Sequence, residues 1–483
     1  MVGMDLPVFH LDFFNNRGLI AVTAILHVVI NHGMAVGGIP LVAWLEWRAW
    51  RGEHELDEVA RRILAVFFVI TTTIGALTGV GIWLTASLIN PIAIGSLLRV
   101  FFWTWFTEWL VFVTEVVLIM AYFLSWQRWR REHKGRHVRL GQALSVASWI
   151  TMSLIVSILG FMMDPGAWLS DKTLFSGMLN PIYLPQLAFR TPLAMMMAGT
   201  FALVVTLFVT PSRSALQWRV QRLVSRWTLA WILPCIGGGL WYAHVVPPAM
   251  QHNVATALGL QSLQSWSQTA SVTLGLSCSV IAAIVVVGAV KPQHLRPAIV
   301  LVPAVIAVGL IGTFERVREF VRKPWAIAGY LYANGLRAAD YPLLQRDGLL
   351  THATYTSIRT VTDDNQLAAG KEVFTLACTR CHTVDGVAGI RGVLVDMYGD
   401  DEHWDGAAIA DYIGTMHNTR PFMPPFPGSV SERRALGAWL ASLQTHRDVI
   451  EGAQTIGAVS VPRSPPTTTT LPTSSSSTST SSP

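Results

Sequence analysis

The segment Cys378-Thr379-Arg380-Cys381-His382 decides the fold of the C-terminal part of this chain. Cys-x-x-Cys-His is the attachment signature of c-type haem, in which both thiols bond to the haem and the adjacent His is held beneath the iron. A zinc-binding or redox-active Cys-x-x-Cys pair is the alternative interpretation. The motif predicts covalent haem c, with Cys378 and Cys381 as attachment residues and His382 as the proximal iron ligand.

A distal ligand is predicted within Phe422-Met423-Pro424-Pro425-Phe426, at the Met. A thioether opposite an imidazole is a usual cytochrome c pairing and raises the reduction potential. Met416 is the rival ligand, although no Pro-Pro follows it, and either Met can instead simply fill the core. Amphipathic segments at 364–376 and 431–443 flank the two motifs, so residues 363–447 resemble a class I cytochrome c domain.

The rest of the chain has the composition of a membrane protein. Its 483 residues are 52% hydrophobic and only 13% charged, with a mean hydropathy of +0.44. A helix that spans a bilayer needs about 20 apolar residues. Eight stretches are long enough, at 18–43, 59–88, 99–126, 141–163, 187–210, 227–247, 267–290 and 297–319. We therefore expect an all-α fold: a polytopic bundle of about eight transmembrane helices in the lipid bilayer, followed by a small α-helical cytochrome c domain.

Basic residues are distributed unevenly over the loops between these stretches. The loops after the first, third, fifth and seventh stretches are rich in Arg and Lys, and the alternate loops are poor in them. Cytoplasmic loops carry such an excess. Both termini are therefore predicted on the outer side of a prokaryotic cytoplasmic membrane, where haem c is attached. The net charge of +6 comes from these loops and does not indicate a nucleic-acid partner.

Composition also divides the chain into parts. The predicted parts are a transmembrane domain at 1–330, a polar linker at 331–362, the cytochrome c domain at 363–447 and a disordered Ser/Thr/Pro-rich tail at 448–483. The first apolar stretch is long and has no small-residue cleavage site, so no cleavable signal peptide is expected. Cys235 and Cys278 lie alone in apolar stretches and are expected to be core residues rather than a disulfide.

Ionisable side chains inside the predicted membrane helices are functional candidates, because burying them in hydrocarbon is costly. They are His27 in the first helix, Glu108 and Glu115 on one face of the third, and Glu315 and Glu319 on one face of the eighth. A lone His can instead be hydrogen-bonded between helices, and Glu319 can instead pair with Lys323 one turn on. Weaker candidates are His32, His244 and His252.

Several motifs in the membrane part resemble subunit I of the cytochrome bd oxidases. They are Asn16-Arg17-Gly18-Leu19-Ile20-Ala21-Val22-Thr23-Ala24-Ile25-Leu26-His27, Thr114-Glu115-Val116-Val117, Gly160-Phe161-Met162-Met163-Asp164-Pro165, Asn180-Pro181 and Glu319-Phe320-Val321-Arg322-Lys323-Pro324-Trp325. They occur in the family's order over about residues 9–330. The last is close to the family's Glu-x-Gly-Arg-Gln-Pro-Trp.

The resemblance implies cofactor ligands. The family's counterpart of His27 binds the haem at the oxygen-reducing position, and the counterpart of Glu319 ligates the high-spin haem b. Two high-spin haems, of b type, d type or both, are therefore expected. Arg322 and Trp325 are expected as further cofactor contacts, with Arg322 offsetting the charge of a haem propionate.

The resemblance also implies a proton route and a partner. Glu108 and Glu115 correspond to the helix whose carboxylates carry protons in the family, and buried glutamates suit such a relay. Subunit I of the family pairs with a homologous membrane subunit. A second subunit, homologous to subunit II or a paralogue of subunit I, is therefore an expected partner.

Three departures concern the quinol side of the family. Arg190 replaces the His that binds the low-spin haem b, and no Met follows Ser265-Trp266-Ser267-Gln268-Thr269-Ala270-Ser271, where the second ligand belongs. The quinol-binding loop is reduced to about residues 248–265, and the cytochrome c domain replaces the ninth helix. Electron entry from quinol is therefore predicted to be lost and replaced by entry through haem c from a cytochrome c-type donor.

Together these features predict a bd-like terminal oxidase subunit that is fed through haem c and reduces oxygen at a high-spin haem. A membrane cytochrome that transfers electrons without oxygen chemistry is the main alternative. A cytochrome c reductase that uses quinol at a new site is a third interpretation.

Overall fold

The computed structural model describes residues 4–258, 266–399 and 403–444. Eight helices in these ranges are long and apolar enough to cross a membrane, which confirms the predicted number of spans. They are α1 Asn16–Trp50, α2 Glu55–Ile89, α3 Phe102–Glu132, α4 Lys134–Met163, α5 Tyr183–Val209, α6 Ala215–Val245, α7 Trp266–Val290 and α8 Pro297–Val321. The predicted tail, 448–483, and the side chains of the 265–271 motif lie outside the described residues.

Most of these helices continue past the apolar stretches that predicted them. α3 extends to Glu132, because Arg and Glu are good helix formers and Arg130 and Arg131 lie favourably in its last turn. Two π-helical segments interrupt the regular helices, Asn31–Val36 in α1 and Thr71–Gly75 in α2. These segments contact each other, and π-segments are frequent at functional sites.

Short elements fill the loops. A ten-residue helix lies at Pro91–Val100. Shorter α-helical segments lie at Trp168–Asp171, Leu174–Met178, Pro248–Gln251 and Asn253–Leu258. Short 3-10 helices lie at Pro292–His294, Ala338–Asp340 and Asp363–Asn365. The strands β1 Trp325–Ile327 and β2 Leu331–Tyr332 pair antiparallel, with Trp325 opposite Tyr332. This hairpin follows α8 directly and leads into the C-terminal unit.

Four helices form the C-terminal unit: α9 Gln366–Ala377, α10 Ile390–Tyr398, α11 Gly406–Thr419 and α12 Val430–Ser442. α12 packs against α9 and α11, and the rings of Phe374 and Trp439 lie 4.9 Å apart between α9 and α12. Ser429 and Glu432 form a capping box that starts α12. The two amphipathic segments predicted around the haem motif are thus both helices.

The segment 331–362, predicted as a polar linker, is folded into this unit. It contains the helices Tyr341–Asp347 and Leu349–His352. Leu350 is buried in the core of the C-terminal unit, and the Glu432 carboxylate accepts hydrogen bonds from the N–H groups of Leu349 and Leu350, at 2.8 and 2.7 Å. Its apolar residues are scattered among polar ones, so composition did not reveal that they belong to a core.

The N-terminal segment fastens the C-terminal unit to the membrane helices. The N–H of Met4 donates to the carbonyl of His352 at 2.8 Å, and the N–H of Val387 donates to the carbonyl of Phe13 at 3.2 Å. Asn15, the N-cap of α1, donates from Nδ2 to the carbonyl of Val387 at 3.1 Å. The residues before α1 and the C-terminal unit therefore lie on the same side of the bundle, as the predicted topology requires.

α1 and α5 approach each other closely in the middle of the bundle. A Cβ on Gly37 would lie 2.0 Å from the carbonyl oxygen of Ala194, and one on Gly33 would lie 2.1 Å from the Phe201 ring. Small residues at such crossings let two helix backbones meet without a side chain between them. The position of α5 against α1 therefore depends on these glycines.

We expect Gly37→Ala to lower the thermal unfolding temperature of the purified protein in detergent, because the added methyl group forces α1 and α5 apart. Overpacking of this kind costs about 1–3 kcal/mol. Gly95→Ala is the matched control, since nothing lies within 4 Å of its added Cβ and Ala favours the helix. Equal unfolding temperatures for the two variants would show that the close approach does not constrain the fold.

Candidate functional site

The haem motif forms a turn directly after α9. α9 ends at Ala377, and the backbone N–H groups of Cys381 and His382 both donate to the carbonyl of Cys378 at 3.0 Å. Both thiols are free and half-buried. The turn places the two thiols and the imidazole on one short loop, as attachment of a single cofactor requires.

His382 is oriented for iron ligation by a backbone contact. Its Nδ1 lies 3.1 Å from the carbonyl oxygen of Ala388, which assigns the proton to Nδ1 and leaves Nε2 as the lone-pair nitrogen. A metal-ligating His usually donates its other N–H to such a carbonyl. Burial lowers the pKa of His382 and so favours the neutral ring, the form that binds metal.

Met423 and Met416 differ in their surroundings. Met416 lies on α11 and packs against the apolar core of the C-terminal unit. Met423 follows α11 and is half-buried, and its carbonyl accepts a hydrogen bond from Nδ1 of His417. That bond holds the loop of Met423, while its thioether is not part of the core cluster. Met416 thus has core contacts of its own, and Met423 as the distal ligand stays a prediction.

The surroundings of Cys378 disfavour a redox-active Cys pair. Thiols of redox-active Cys-x-x-Cys motifs have lowered pKa values, because the thiolate is the nucleophile. Burial instead raises the pKa of Cys378 to about 12. The Cys378 thiol is therefore held in its protonated form and is a poor nucleophile for disulfide exchange.

His27 on α1 repeats the arrangement of His382. Its Nδ1 lies 3.1 Å from the Gly75 carbonyl oxygen and 3.3 Å from Thr78 Oγ1, both on α2. Its Nε2 makes no hydrogen bond with the described residues. Gly79 leaves the ring uncovered on this side, since a Cβ there would lie 3.2 Å from Cε1 of His27. The interhelical hydrogen bond considered as the alternative role is present, and it orients the ring without using Nε2.

The other candidate histidines lack this arrangement. Nη1 of Arg190 donates to Nε2 of His32 at 3.3 Å, and both side chains are buried. His244 and His252 are exposed. Among these four, His27 is the ring that is held between helices and keeps a free Nε2.

Arg190 stands where the resemblance places a haem-ligating His, and it belongs to a buried ion-pair network. Its Nη2 donates to Glu315 Oε1 at 2.6 Å, and Nε of Arg318 donates to Glu315 Oε2 at 2.8 Å. Arg190 is only 1% exposed. Removing one partner from such a network leaves an uncompensated buried charge. The ion pairs therefore hold the Arg190 guanidinium in place, and they join α5 to α8.

Glu319 forms the local ion pairs that its spacing allows. Lys323 Nζ lies 3.0 Å from Glu319 Oε1, and Nη2 of Arg322 donates to Oε2 of the same carboxylate. The ion pair with Lys323, which the sequence allowed as the alternative role of Glu319, is therefore present. Even so, 34% of the Glu319 side chain is exposed, so the carboxylate is open to a further ligand.

The C-terminal end of α8 carries more positive than negative charge. Around the Glu319 carboxylate lie three cations, Arg17, Arg322 and Lys323. Burial and the Arg17 guanidinium lower the pKa of Lys323 to about 8. The buried Nε of Arg322 lacks a hydrogen-bond partner among the described residues. This surplus of cations and this orphaned donor fit a cofactor that brings carboxylates, as haem does with its propionates.

Trp325 forms one wall of a cavity beside this cluster. Its ring stacks on Tyr332 with the centroids 4.1 Å apart. The cavity has a volume of about 220 Å³, and Asp164 and Lys323 also line it. The motifs at 160–165 and 319–325 thus meet at one place, although they are far apart in the chain.

Glu115 and Glu108 lie in different surroundings. Glu115 accepts hydrogen bonds from the hydroxyls of Ser148 and Thr151 on α4, the latter at 3.1 Å. Glu108 is half-buried two turns away on the same helix and makes no hydrogen bond or ion pair with the described residues. α3 exposes a row of large apolar side chains, which places it at the edge of the bundle. Both carboxylates lie on the half-buried face of α3, but only Glu115 is hydrogen-bonded to a neighbouring helix among the described residues.

An aromatic contact connects the two parts of the candidate site. Phe320 on α8 and Phe422 in the C-terminal unit have ring centroids 5.4 Å apart. Phe320 adjoins Glu319 in the chain, and Phe422 adjoins Met423. The predicted distal ligand of haem c and the predicted ligand of a membrane haem are therefore brought together through neighbouring rings.

The sequence alone did not predict two contacts between distant parts of the chain, Glu315 with Arg190 and Phe320 with Phe422. Spacing places Glu315 and Glu319 on one face of α8, but it does not show that Glu315 meets Arg190 of α5. A lone Arg inside an apolar helix carries a usable signal, because its burial in hydrocarbon requires an acidic partner on another helix. The contact of Phe320 with Phe422 gives no comparable signal, since both are ordinary apolar residues.

Comparisons with known proteins agree with the two-part organisation. Residues 365–440 match the family described as cytochrome c oxidase, cbb3-type, subunit III. The fold is similar to that of bd oxidase from Geobacillus thermodenitrificans, with a TM-score of 0.53, 17% sequence identity, and coverage of 66% of this chain and 90% of that one. No curated protein sequence matches the chain. The chain therefore joins a membrane domain with the bd oxidase fold to a C-terminal cytochrome c domain.

Replacing Cys378 and Cys381 together by Ala should abolish covalently bound haem, because both attachment thiols are lost. The measurement is haem staining of the protein on a denaturing gel. Cys235→Ala with Cys278→Ala is the matched control, since those free thiols lie on α6 and α7 and staining should persist. Haem that stays attached in the Cys378/Cys381 double variant would contradict the assignment.

Proposed function

We propose that this chain is the subunit I-like part of a bd-like terminal oxidase that receives electrons through its own haem c. The contact between Phe320 and Phe422 supports this most directly, because it joins the neighbours of Glu319 and Met423. When bound, the haems would carry the electrons and hold oxygen while it is reduced to water. The protein's side chains orient these groups, exclude competing ligands and supply protons.

His382 and His27 are the proposed proximal ligands at the two ends of this route. Each ring donates its Nδ1–H to a backbone carbonyl, that of Ala388 or Gly75. This hydrogen bond fixes both the tautomer and the orientation of the ring, so that Nε2 is the ligating atom. Only the haem beside His382 is proposed to be covalently attached, through Cys378 and Cys381. The haem beside His27 has no adjacent thiol to bond to.

Glu319 is the proposed ligand of the second membrane haem. Its carboxylate is held at the outer end of α8 by Lys323 and Arg322. The same two cations, with Arg17, are proposed to bind the propionate carboxylates, since together they outnumber the negative charge of Glu319. Trp325 is proposed as an apolar wall for the cofactor, because it lines the cavity next to Lys323.

A cytochrome c-type protein, rather than quinol, is the proposed electron donor. Arg190, which the sequence resemblance places at the family's low-spin haem ligand, is instead held in a buried ion pair with Glu315. Without that haem, the route from quinol has no first acceptor. The Cys378–His382 motif lies in the C-terminal unit that contacts α8 next to Glu319, so haem c is proposed to be the first electron acceptor in place of that haem.

Glu115 is the proposed proton donor inside the membrane domain. The hydroxyls of Ser148 and Thr151 touch its carboxylate, and hydroxyl groups can both accept and donate protons. Glu108 is proposed as the neighbouring step. The row of exposed apolar side chains on α3 is proposed as the surface that a second membrane subunit covers.

The purified complex should reduce oxygen with reduced cytochrome c or an artificial one-electron donor and should oxidise quinol negligibly. The measurement is oxygen consumption with each donor, before and after loss of haem c through Cys378→Ala with Cys381→Ala. The rate with reduced cytochrome c should vanish in that variant. Rapid quinol oxidation that survives the loss of haem c would refute the proposed route.

Reduced-minus-oxidised spectra with and without carbon monoxide distinguish this function from electron transfer without oxygen chemistry. An open high-spin haem should change its spectrum when carbon monoxide binds. A protein that neither binds carbon monoxide nor consumes oxygen would instead be an electron-transfer cytochrome.

His27→Ala should remove one membrane haem and all oxygen consumption while covalent haem c remains, because the variant lacks the free Nε2. Haem content per chain and oxygen consumption are the two measurements. His244→Ala is the matched control, since His244 is an exposed His on α6. An unchanged haem content in His27→Ala would show that this ring is not a ligand.

A further inference from the structure

A cleft opens between α1 and α6, away from the candidate redox site. Its volume is about 380 Å³. The lining residues that matter here are Trp44 and Arg48 from α1, and Arg226, Trp227, Trp231 and Pro234 from α6. Guanidinium groups and indole rings therefore share one concave surface.

One of the two cations in this cleft has no acidic partner. Nε of Arg48 donates to Glu53 Oε1 at 2.6 Å. Glu53 also accepts a hydrogen bond from Nη2 of Arg219 at 2.8 Å, so two guanidinium groups share its charge. Arg226 is exposed and makes no hydrogen bond or ion pair with any residue in the described ranges. The cleft therefore keeps a surplus of positive charge.

The cleft lies at the depth of a membrane interface. The first turns of α6 are polar and carry Arg219, Arg222 and Arg226, and the apolar part of the helix begins at Trp227. Trp is enriched where hydrocarbon meets headgroups. The basic loops at this end are those that the charge distribution predicts to be cytoplasmic, and the cytoplasmic leaflet carries the anionic lipids.

The walls of the cleft offer both apolar and polar contacts. The rings of Trp44 and Trp227 lie 5.4 Å apart, and those of Trp227 and Trp231 lie 6.1 Å apart. Nε1 of Trp227 donates to the Met195 carbonyl at 3.0 Å, which fixes this ring. Pro234 has no N–H, so the carbonyl four residues before it lacks its usual helical donor.

We propose that this cleft binds one anionic phospholipid, with its phosphate on Arg226 and Arg48 and an acyl chain along Trp227 and Trp231. Guanidinium groups bind phosphate oxygens through paired, charge-assisted hydrogen bonds. A headgroup that carries only the negative phosphate would neutralise the surplus positive charge of the cleft. A choline headgroup would instead place its own positive charge beside Arg226. Phosphatidylglycerol should therefore bind better than phosphatidylcholine. The proposal is independent of the redox function.

Native mass spectrometry of the full purified complex tests this proposal. The delipidated complex is titrated with phosphatidylglycerol or with phosphatidylcholine, and the bound lipids are counted. Arg226→Gln should weaken the binding of one phosphatidylglycerol by about fivefold, the effect of one Arg at an anionic headgroup. Arg222→Gln is the matched control, because Arg222 is exposed one turn earlier on α6 and does not line the cleft. It should bind like the unsubstituted protein.

Further outcomes decide the nature of the site. Trp231→Ala should weaken the binding of both lipids while the preference for phosphatidylglycerol remains, because it removes only apolar wall. Equal losses in Arg226→Gln and Arg222→Gln would overturn the proposal and indicate general attraction to basic helices. Equal affinity for the two lipids would also overturn it. Cross-links from the cleft to a co-purified membrane subunit, with no lipid retained, would assign this surface to a protein partner instead.

Discussion

A charge buried between membrane helices must have a partner, and the network around Glu315 is where this constraint acts most strongly on the fold. Glu315 binds Arg190 from α5 and Arg318 from its own helix, and Arg190 also donates to His32 of α1. Arg190 thus links α5 both to α8 and to α1. Close packing at Gly37 supports the same arrangement, because it lets α1 meet α5 without an intervening side chain.

The position of these charges is consistent with the proposal that a chain with the bd oxidase fold receives its electrons through a cytochrome c domain. In this chain the helix bundle keeps a His with a free Nε2 on α1 and a carboxylate at the end of α8. A buried ion pair of Arg190 with Glu315 lies where the sequence resemblance places the ligand of a third haem. The C-terminal cytochrome c domain lies against the same end of the bundle, next to Phe320. Under the proposed function, one helix bundle accommodates a different electron entry with few changes in its core.

Local patterns predicted much of this structure. The eight spans, the helices around the haem motif and the common side of the first helix and the haem domain follow from hydropathy, helical periodicity and loop charge. Long-range packing was not predictable in the same way. Residues 331–362 join the C-terminal core through single apolar residues that follow neither a helical nor a strand periodicity in the sequence. Cys278, expected in the core, is exposed on α7, because hydropathy does not distinguish a side chain facing lipid from one facing another helix.

The hydrogen bonds of Met4 and Phe13 with the C-terminal unit have a kinetic consequence. A domain held at both the N-terminal segment and the end of α8 cannot diffuse away on a flexible tether. Its effective concentration at the membrane domain is therefore set by fixed geometry instead of linker length. In the proposed route, electron transfer inside the chain would then be a first-order event that does not depend on ionic strength, whereas the encounter with an external carrier would stay second-order and salt-sensitive. Changes in carrier abundance would thus alter how often the chain is loaded without altering how fast it discharges.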